Sequence, residues 1–146
     1  MTEHGAATRY EVEGENLPGG RAQITAHATE LRFDGAAASG DELPSPADLL
    51  AAALAACILK NVERFSQTLR FRYRRATVHV AVEREEPPPR IVRARYTLRV
   101  ETDEPDHRVE LLHRNIRKFG TVTNTLAAAA DLQGEIVAVR SPREGA

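Results

Sequence analysis

Cys57 is the only thiol in the chain and the one side chain with evident nucleophilic or redox capacity. Two roles are open to it. A free cysteine among alanines is commonly a small buried hydrophobe. To react as a thiolate it needs a nearby cation, because it lies some three turns inside a helix, beyond useful reach of the helix dipole. Arg21 follows Gly19-Gly20, on backbone free to turn sharply, and is the best candidate for that cation. An exposed arginine at a strand edge is the plainer account of the same residue. A catalytic triad would need a histidine; His4, His27, His79, His107 and His113 form no i, i+4 pair and no metal-like cluster, so a histidine metal site is not expected. A single cysteine rules out an intrachain disulfide and any multi-cysteine metal site. Asp48 could act as an acid–base group, but helix capping accounts for it fully.

The residues around the thiol spell a helix. Ser45-Pro46-Ala47-Asp48 opens it: the Ser45 hydroxyl can accept a free N–H of the first turn, and Pro46 suits the first helical position. Asp48 completes a capping-box pair and brings negative charge to the positive end of the dipole. Leu50, Leu54, Cys57, Ile58, Val62 and Phe65 then recur at helical spacing, which carries the helix to about residues 65–67 and puts Cys57 on or beside the packed stripe. Alanines offer little bulk, so another backbone can approach closely. The helix is expected to be central and packed on several sides.

The elements that must hold this helix follow from pattern. Residues 9–12 read as a first strand, Asn16-Leu17-Pro18-Gly19-Gly20 as a turn, and 21–25 with 30–34 as a hairpin, before a loop at 35–44. After the helix, 70–83 is strand-like, but its apolar phase changes between Phe71-Tyr73 and Val78-Val80-Val82. That change predicts a bulge or a late strand start near Arg74-Arg75. Glu85-Glu86-Pro87-Pro88-Pro89 is a connection. Residues 91–101 form the cleanest strand, with Val92, Ala94, Tyr96, Leu98 and Val100 on one face and arginines and Thr97 on the other, as suits an antiparallel pair with one wet face. Pro105 opens a second helix through Val109, Leu112, Ile116 and Phe119, with Gly120 as its C′ residue. A short third helix starts at Thr121, and 132–139 is a last strand. This order gives an α+β domain.

The chain has 146 residues, a net charge of −1 and only 5 % aromatic residues. One domain, 1–146, is expected, with its core at about 19–139 and tails at 1–8 and 141–146; a chain of this size buries roughly 68–70 % of its unfolded surface. The charge argues against a nucleic-acid partner. The arginine-rich strand faces are flanked by Glu83, Glu85, Glu86 and Glu101 and read as solvated mixed-charge surface. No early segment resembles a signal peptide and no apolar run is long enough to span a membrane, so a cytoplasmic protein with a reduced thiol is expected.

Two motifs together resemble a known family. Ser45-Pro46-Ala47-Asp48-Leu49-Leu50 leading into Ala55-Ala56-Cys57 resembles the start of the central helix in the OsmC/Ohr proteins, the osmotically inducible and organic-hydroperoxide-resistance proteins. Phe119-Gly120-Thr121-Val122-Thr123-Asn124-Thr125-Leu126 resembles the family's second motif, in which a cysteine precedes a similar run. The resemblance implies an intertwined homodimer, with antiparallel sheets wrapped around long central helices and sites at the subunit interface. It also implies that Cys57 is the peroxidatic cysteine and that Arg21, in Gly-Gly-Arg, is the arginine holding its thiolate. Two positions depart from the pattern. Gly120 stands where the resolving cysteine belongs, and Ala47 stands where the hydroperoxide-resistance subgroup has a glutamate, leaving Asp48 as the adjacent acid.

Two functions then compete. One is a one-cysteine thiol peroxidase for organic hydroperoxides, needing no cofactor beyond an external thiol or dithiol, because a sulfenic acid on Cys57 has no partner thiol in its own chain. The other is a non-catalytic dimer binding a small hydrophobic ligand at its interface. A plain interaction domain is a third and weaker reading.

Overall fold

A computed structural model describes residues 5–38, 40 and 42–142. In chain order it contains β1 (Glu13–Leu17), β2 (Arg21–Ala26), β3 (Thr29–Asp34), α1 (Pro46–Leu69), β4 (Arg75–Glu85), β5 (Arg90–Glu101), α2 (Asp106–Phe119), α3 (Thr121–Ala129) and β6 (Asp131–Val139). The class is α+β, as expected. The described residues divide into two compact units between Asp48 and Leu49. The outermost parts of the expected tails, 1–4 and 143–146, lie outside the described residues.

The first unit is an antiparallel sheet in the order β1-β2-β3. Its first strand starts at Glu13 rather than at residues 9–12, and Asn16 and Leu17 belong to it rather than to the turn. The reversal takes only Pro18, Gly19 and Gly20, and the φ values of 93° and 85° at the two glycines are open to glycine at no steric cost. The Gly20 N–H closes the turn on the Leu17 carbonyl at 2.9 Å, so β1 can pair up to Leu17↔Arg21. The expected loop follows β3, with residues 39 and 41 outside the described set. Asp34 organises it by accepting from the N–H groups of Ala36 (3.1 Å) and Gly40 (2.9 Å). The capping box is formed: Ser45 Oγ accepts from the Asp48 N–H at 3.2 Å, and Asp48 Oδ2 accepts from the Ser45 N–H at 2.9 Å.

The helix that this box starts is about 36 Å long at 1.5 Å per residue. Leu54, Ile58, Val62 and Phe65 form its buried stripe. In the single chain its other side is not covered: Ala52, Ala53, Ala56 and Lys60 are exposed. The helix ends in a Schellman motif, with Arg70 left-handed at φ 51° and the N–H groups of Arg70 and Phe71 bonded to the carbonyls of Gln67 and Ser66. This resolves the phase change read in the sequence. Phe71 is buried as part of the helix stop, and the strand begins late, at Arg75; the register slip falls between Glu83 and Arg84 instead.

The second sheet runs β4-β5-β6 with β5 in the centre. Its β4–β5 pair is antiparallel, but β6 lies parallel to β5, in register from Arg93↔Asp131 to Glu101↔Val139. The sheet is therefore mixed, not wholly antiparallel. A parallel neighbour needs a crossover to bring the chain back to the start of the strand, and α2 with α3 supplies it. Ala94, Tyr96, Leu98 and Val100 of β5 join the α1 stripe and Val109, Leu112 and Ile116 of α2 in one core. The outer face carries the charges as ion pairs: Arg93 with Glu83 and Glu85, and Arg95 with Asp131.

A polar pin secures α2 within that core. Tyr96, 3 % exposed, shares a 2.6 Å hydrogen bond with Nε2 of half-buried His113. The ring crosses the neighbouring strand above Gly134, where an added Cβ would lie 2.1 Å from a ring carbon. Because the phenol is tied to His113, the ring cannot swing clear, and Gly134→Ala should cost about 1–3 kcal/mol by overpacking, read from urea unfolding. Burial, and then the charge of Arg117, hold the pKa of His113 below its ordinary value. The unfolded chain therefore takes up this proton first as pH falls. The stability at stake is full above the unfolded pKa of about 6.5 and is lost as pH drops through it. The urea midpoint should fall between pH 7.5 and pH 5.5, and His113→Asn should flatten that slope.

Candidate functional site

Cys57 sits at the rim of the buried stripe of α1 and is partly exposed. One turn on, Asn61 points back along the helix; its Nδ2 donates to the Cys57 carbonyl at 2.8 Å and lies 3.6 Å from Sγ. The other wall is the corner between α2 and α3. There the Oγ1 of Thr123 lies 3.8 Å from Sγ. Asn61 and Thr123 are both buried, at 8 % and 3 % exposure.

Gly120 is the hinge of this corner and ends one helix as it starts the next. Expected as the C′ residue of α2, it does not take the left-handed conformation common at that position: its φ is −77°. The backbone thus imposes no need for glycine, and the need is for space. A Cβ at position 120 would lie 2.7 Å from Thr123 Oγ1, 3.1 Å from Cys57 Sγ and 3.1 Å from the Ile116 carbonyl oxygen. The rest of the second motif holds the corner. Asn124 Nδ2 donates to the Lys118 carbonyl at 3.1 Å and so satisfies the last turn of α2, while the Asn124 N–H closes on Gly120 at 2.9 Å. Phe119 packs on Phe65 with centroids 5.6 Å apart and remains 45 % exposed beside the thiol's helix.

The structure therefore brings together two of the residues singled out in the sequence, Cys57 and Gly120. Arg21 is the first residue of β2 in the first unit, with an exposed side chain. Asp48 is engaged in the cap, and its two bonds from Ser45, the backbone one first, lower its carboxyl pKa. Asn61 and Thr123 had no role assigned from sequence. The available signals were a polar residue at i+4 from Cys57 on the apolar stripe, and the central threonine of the second motif. Elsewhere, a surface depression of about 480 Å³ is walled by Arg72, Tyr73, Arg74, Asp103, Glu104 and Pro105, with Arg74 and Asp103 paired at 2.8 Å.

The family model described as OsmC-like protein matches residues 39–134, which span both motifs. The chain belongs to the OsmC-like family. No curated protein matches it. Among solved structures, an OsmC-like protein from Mycoplasma pneumoniae superposes with a TM-score of 0.84 at 12 % identity, covering 92 % of this chain and 99 % of that one. An organic hydroperoxide resistance protein from Elizabethkingia anophelis gives 0.72 at 13 % identity, over 92 % and 100 %. The organic hydroperoxide resistance protein OhrB of Bacillus subtilis gives 0.66 at 19 % identity, over 88 % and 98 %. At these identities the likeness establishes the OsmC fold.

The fold places a side chain at position 120 at the distance from Sγ that a disulfide partner's Cβ takes. Gly120→Cys should therefore oxidise to an intrachain disulfide with Cys57 once the Thr123 hydroxyl turns aside. Thiol titration should find no free thiol in the oxidised variant, and urea unfolding should show about 2–4 kcal/mol of added stability that a reductant removes.

Proposed function

We propose that this OsmC-like protein is a one-cysteine, thiol-dependent peroxidase for organic hydroperoxides, with a role in oxidative-stress defence. The observation that carries the reading is the partly exposed Cys57 sulfur set against the buried Thr123 hydroxyl and Asn61 amide, at the junction of the family's two motifs. Relatives named for organic hydroperoxide resistance support the substrate class. The Cys57 thiolate attacks the terminal oxygen of the hydroperoxide, the O–O bond breaks, the terminal OH passes to the sulfur as a sulfenic acid, and the leaving alkoxide takes a proton from water and departs as the alcohol. With one cysteine in the chain, an external thiol then attacks that sulfur and releases water. A second thiol takes the mixed disulfide apart, regenerating Cys57 and leaving the external pair oxidised. Arg21 is our candidate for the cation that holds the thiolate.

We also propose that the protein works as a homodimer. The uncovered alanine side of α1, with Leu59 at 36 % exposure beside it, is suited to close packing against a second copy. Light scattering at twice the mass of the 16.1 kDa chain is the expected result, and a monomer overturns it.

The decisive measurement is consumption of tert-butyl hydroperoxide with excess dithiothreitol. Turnover should be present in the wild type, fall to the uncatalysed rate in Cys57→Ser, and drop at least about tenfold in Arg21→Ala, since a thiolate without its cation is a minor species at neutral pH. Absence of turnover in the wild type sinks the enzyme reading and leaves the non-catalytic one.

A further inference from the structure

We propose that the outer face of the β4-β5-β6 sheet carries a site for a protonated phosphoryl group, held between Arg75 and Arg99 with its P–OH turned to Glu101. The site is separate from Cys57 and does not depend on the peroxidase reading. Four residues make its floor. Arg75 and Thr77 stand on β4, and directly opposite them on β5 are Glu101 and Arg99, in the register Arg75↔Glu101 and Thr77↔Arg99. The two arginines thus take one diagonal of a square, and the acid and the hydroxyl take the other. Diagonal neighbours on paired strands start about 7–8 Å apart, so two long arginine side chains can converge on one ion. The four residues line a depression of about 340 Å³, flanked by Val139 of β6.

The pairing of the rest of this face sets the square apart. Arg93 is matched by Glu83 and Glu85, and Arg95 by Asp131, all at 2.8–2.9 Å. Thr97 donates to Glu135 at 3.4 Å. Among the described residues, Arg75, Arg99 and Thr77 have no ion-pair or side-chain hydrogen-bond partner, although Glu101 faces Arg75 across the strands. Opposite charges in that relation ordinarily attract. Here the carboxylate and both guanidiniums stay apart around an open depression, and a net positive charge is left over. That charge is confined to one end of the sheet. A nucleic-acid backbone needs a longer track of unpaired cations; a compact pair suits one small anion.

The four groups also select among anions. Each guanidinium can donate two N–H groups to a tetrahedral oxyanion, and the Thr77 hydroxyl can add one O–H. A carboxylate at the fourth corner repels an anion that only accepts hydrogen bonds. It welcomes one that still carries a proton, because it can accept from that O–H. Phosphate and its monoesters retain such a proton in mildly acidic solution, the second pKa of an ester being about 6; sulfate does not. Glu101 therefore gives the site a preference for phosphoryl over sulfate groups. A second depression of about 360 Å³ adjoins the first through Thr77 and Arg99 and adds His79 and Thr97. It has room for the small organic part of a monoester.

The test is an amide-detected NMR titration of the full-length protein at pH 6 and constant ionic strength, with chloride as the balancing ion. Inorganic phosphate should give saturable shifts at Thr77 and Arg99, and sulfate should bind about tenfold more weakly. Arg99→Ala should weaken phosphate binding at least about tenfold, the worth of one charge-assisted hydrogen bond. Arg95→Ala removes the same charge from an arginine already paired, and should leave binding unchanged. Glu101→Gln should erase the difference between phosphate and sulfate. Glycerol 3-phosphate separates the two sources of the group. Binding tighter than phosphate, with the gain lost in His79→Ala, assigns the site to a monoester; equal binding assigns it to the free ion. Shifts that never saturate, equal losses in Arg99→Ala and Arg95→Ala, or equal phosphate and sulfate binding in the wild type each overturn the proposal.

Discussion

The approach of the α2–α3 corner to the Cys57 sulfur is the constraint on which the site depends. At Gly120 the main chain comes so near the thiol that a single added carbon would press on the sulfur, the Thr123 hydroxyl and a helix carbonyl together. Such closeness persists only if both sides are held rigidly. On the α1 side, Leu54 and Ile58 flank the cysteine and are completely buried. On the other, Leu112 and Ile116 are equally buried in α2, and each such side chain contributes on the order of 1.5–3 kcal/mol to keeping its helix seated. The Tyr96–His113 bond and the clearance at Gly134 fix the same helix to the sheet from its other side. Further along, Arg108 of α2 donates to the Leu69 carbonyl at 2.6 Å, which closes the open end of α1 and ties the two helices at a second point.

This arrangement separates the tasks of the polar residues. Arg93 and Arg95 of the sheet face are matched by carboxylates at 2.8–2.9 Å, and such pairs near the surface add little stability, about 0–1 kcal/mol each. They keep a strand-rich face soluble. The buried polar groups are few, and each has an assignable duty. Thr102 accepts the Glu104 N–H and donates to the Arg72 carbonyl at the end of β5; Ser66 donates to the Glu63 carbonyl in the last turns of α1. Asn61 and Thr123 differ from these in facing the one reactive atom of the chain.

Much of this was legible in the sequence, and the exceptions have physical causes. The capped start of α1, its apolar stripe, the alternation of β5 and the periodicity of α2 are local patterns, so their elements came out as read. The late start of β4 depended on how α1 stops. Arg70 takes a conformation normally left to glycine or asparagine, so nothing in its residue type announced the Schellman turn that absorbs Phe71. The parallel placement of β6 is a matter of topology: its pattern fits either direction, and only the crossover through α2 and α3 decides. Within the site, Cys57 and Gly120 were visible by residue type and motif. Asn61 and Thr123 were not, because asparagine and threonine are common in helices and acquire meaning only when a distant segment folds against them.

Gly120 is the instructive case, since its place after a helix suggests a cap while the constraint on it is spatial. A glycine after an amphipathic helix suggests a left-handed cap, yet the extended conformation here would suit any residue. What excludes a side chain is the Thr123 hydroxyl at 2.7 Å first, and then the Cys57 sulfur and the Ile116 carbonyl at 3.1 Å. A side chain there would have to push aside a hydroxyl buried to 3 % exposure between two packed helices, so the glycine is set by the close approach of the corner to α1 and not by the backbone.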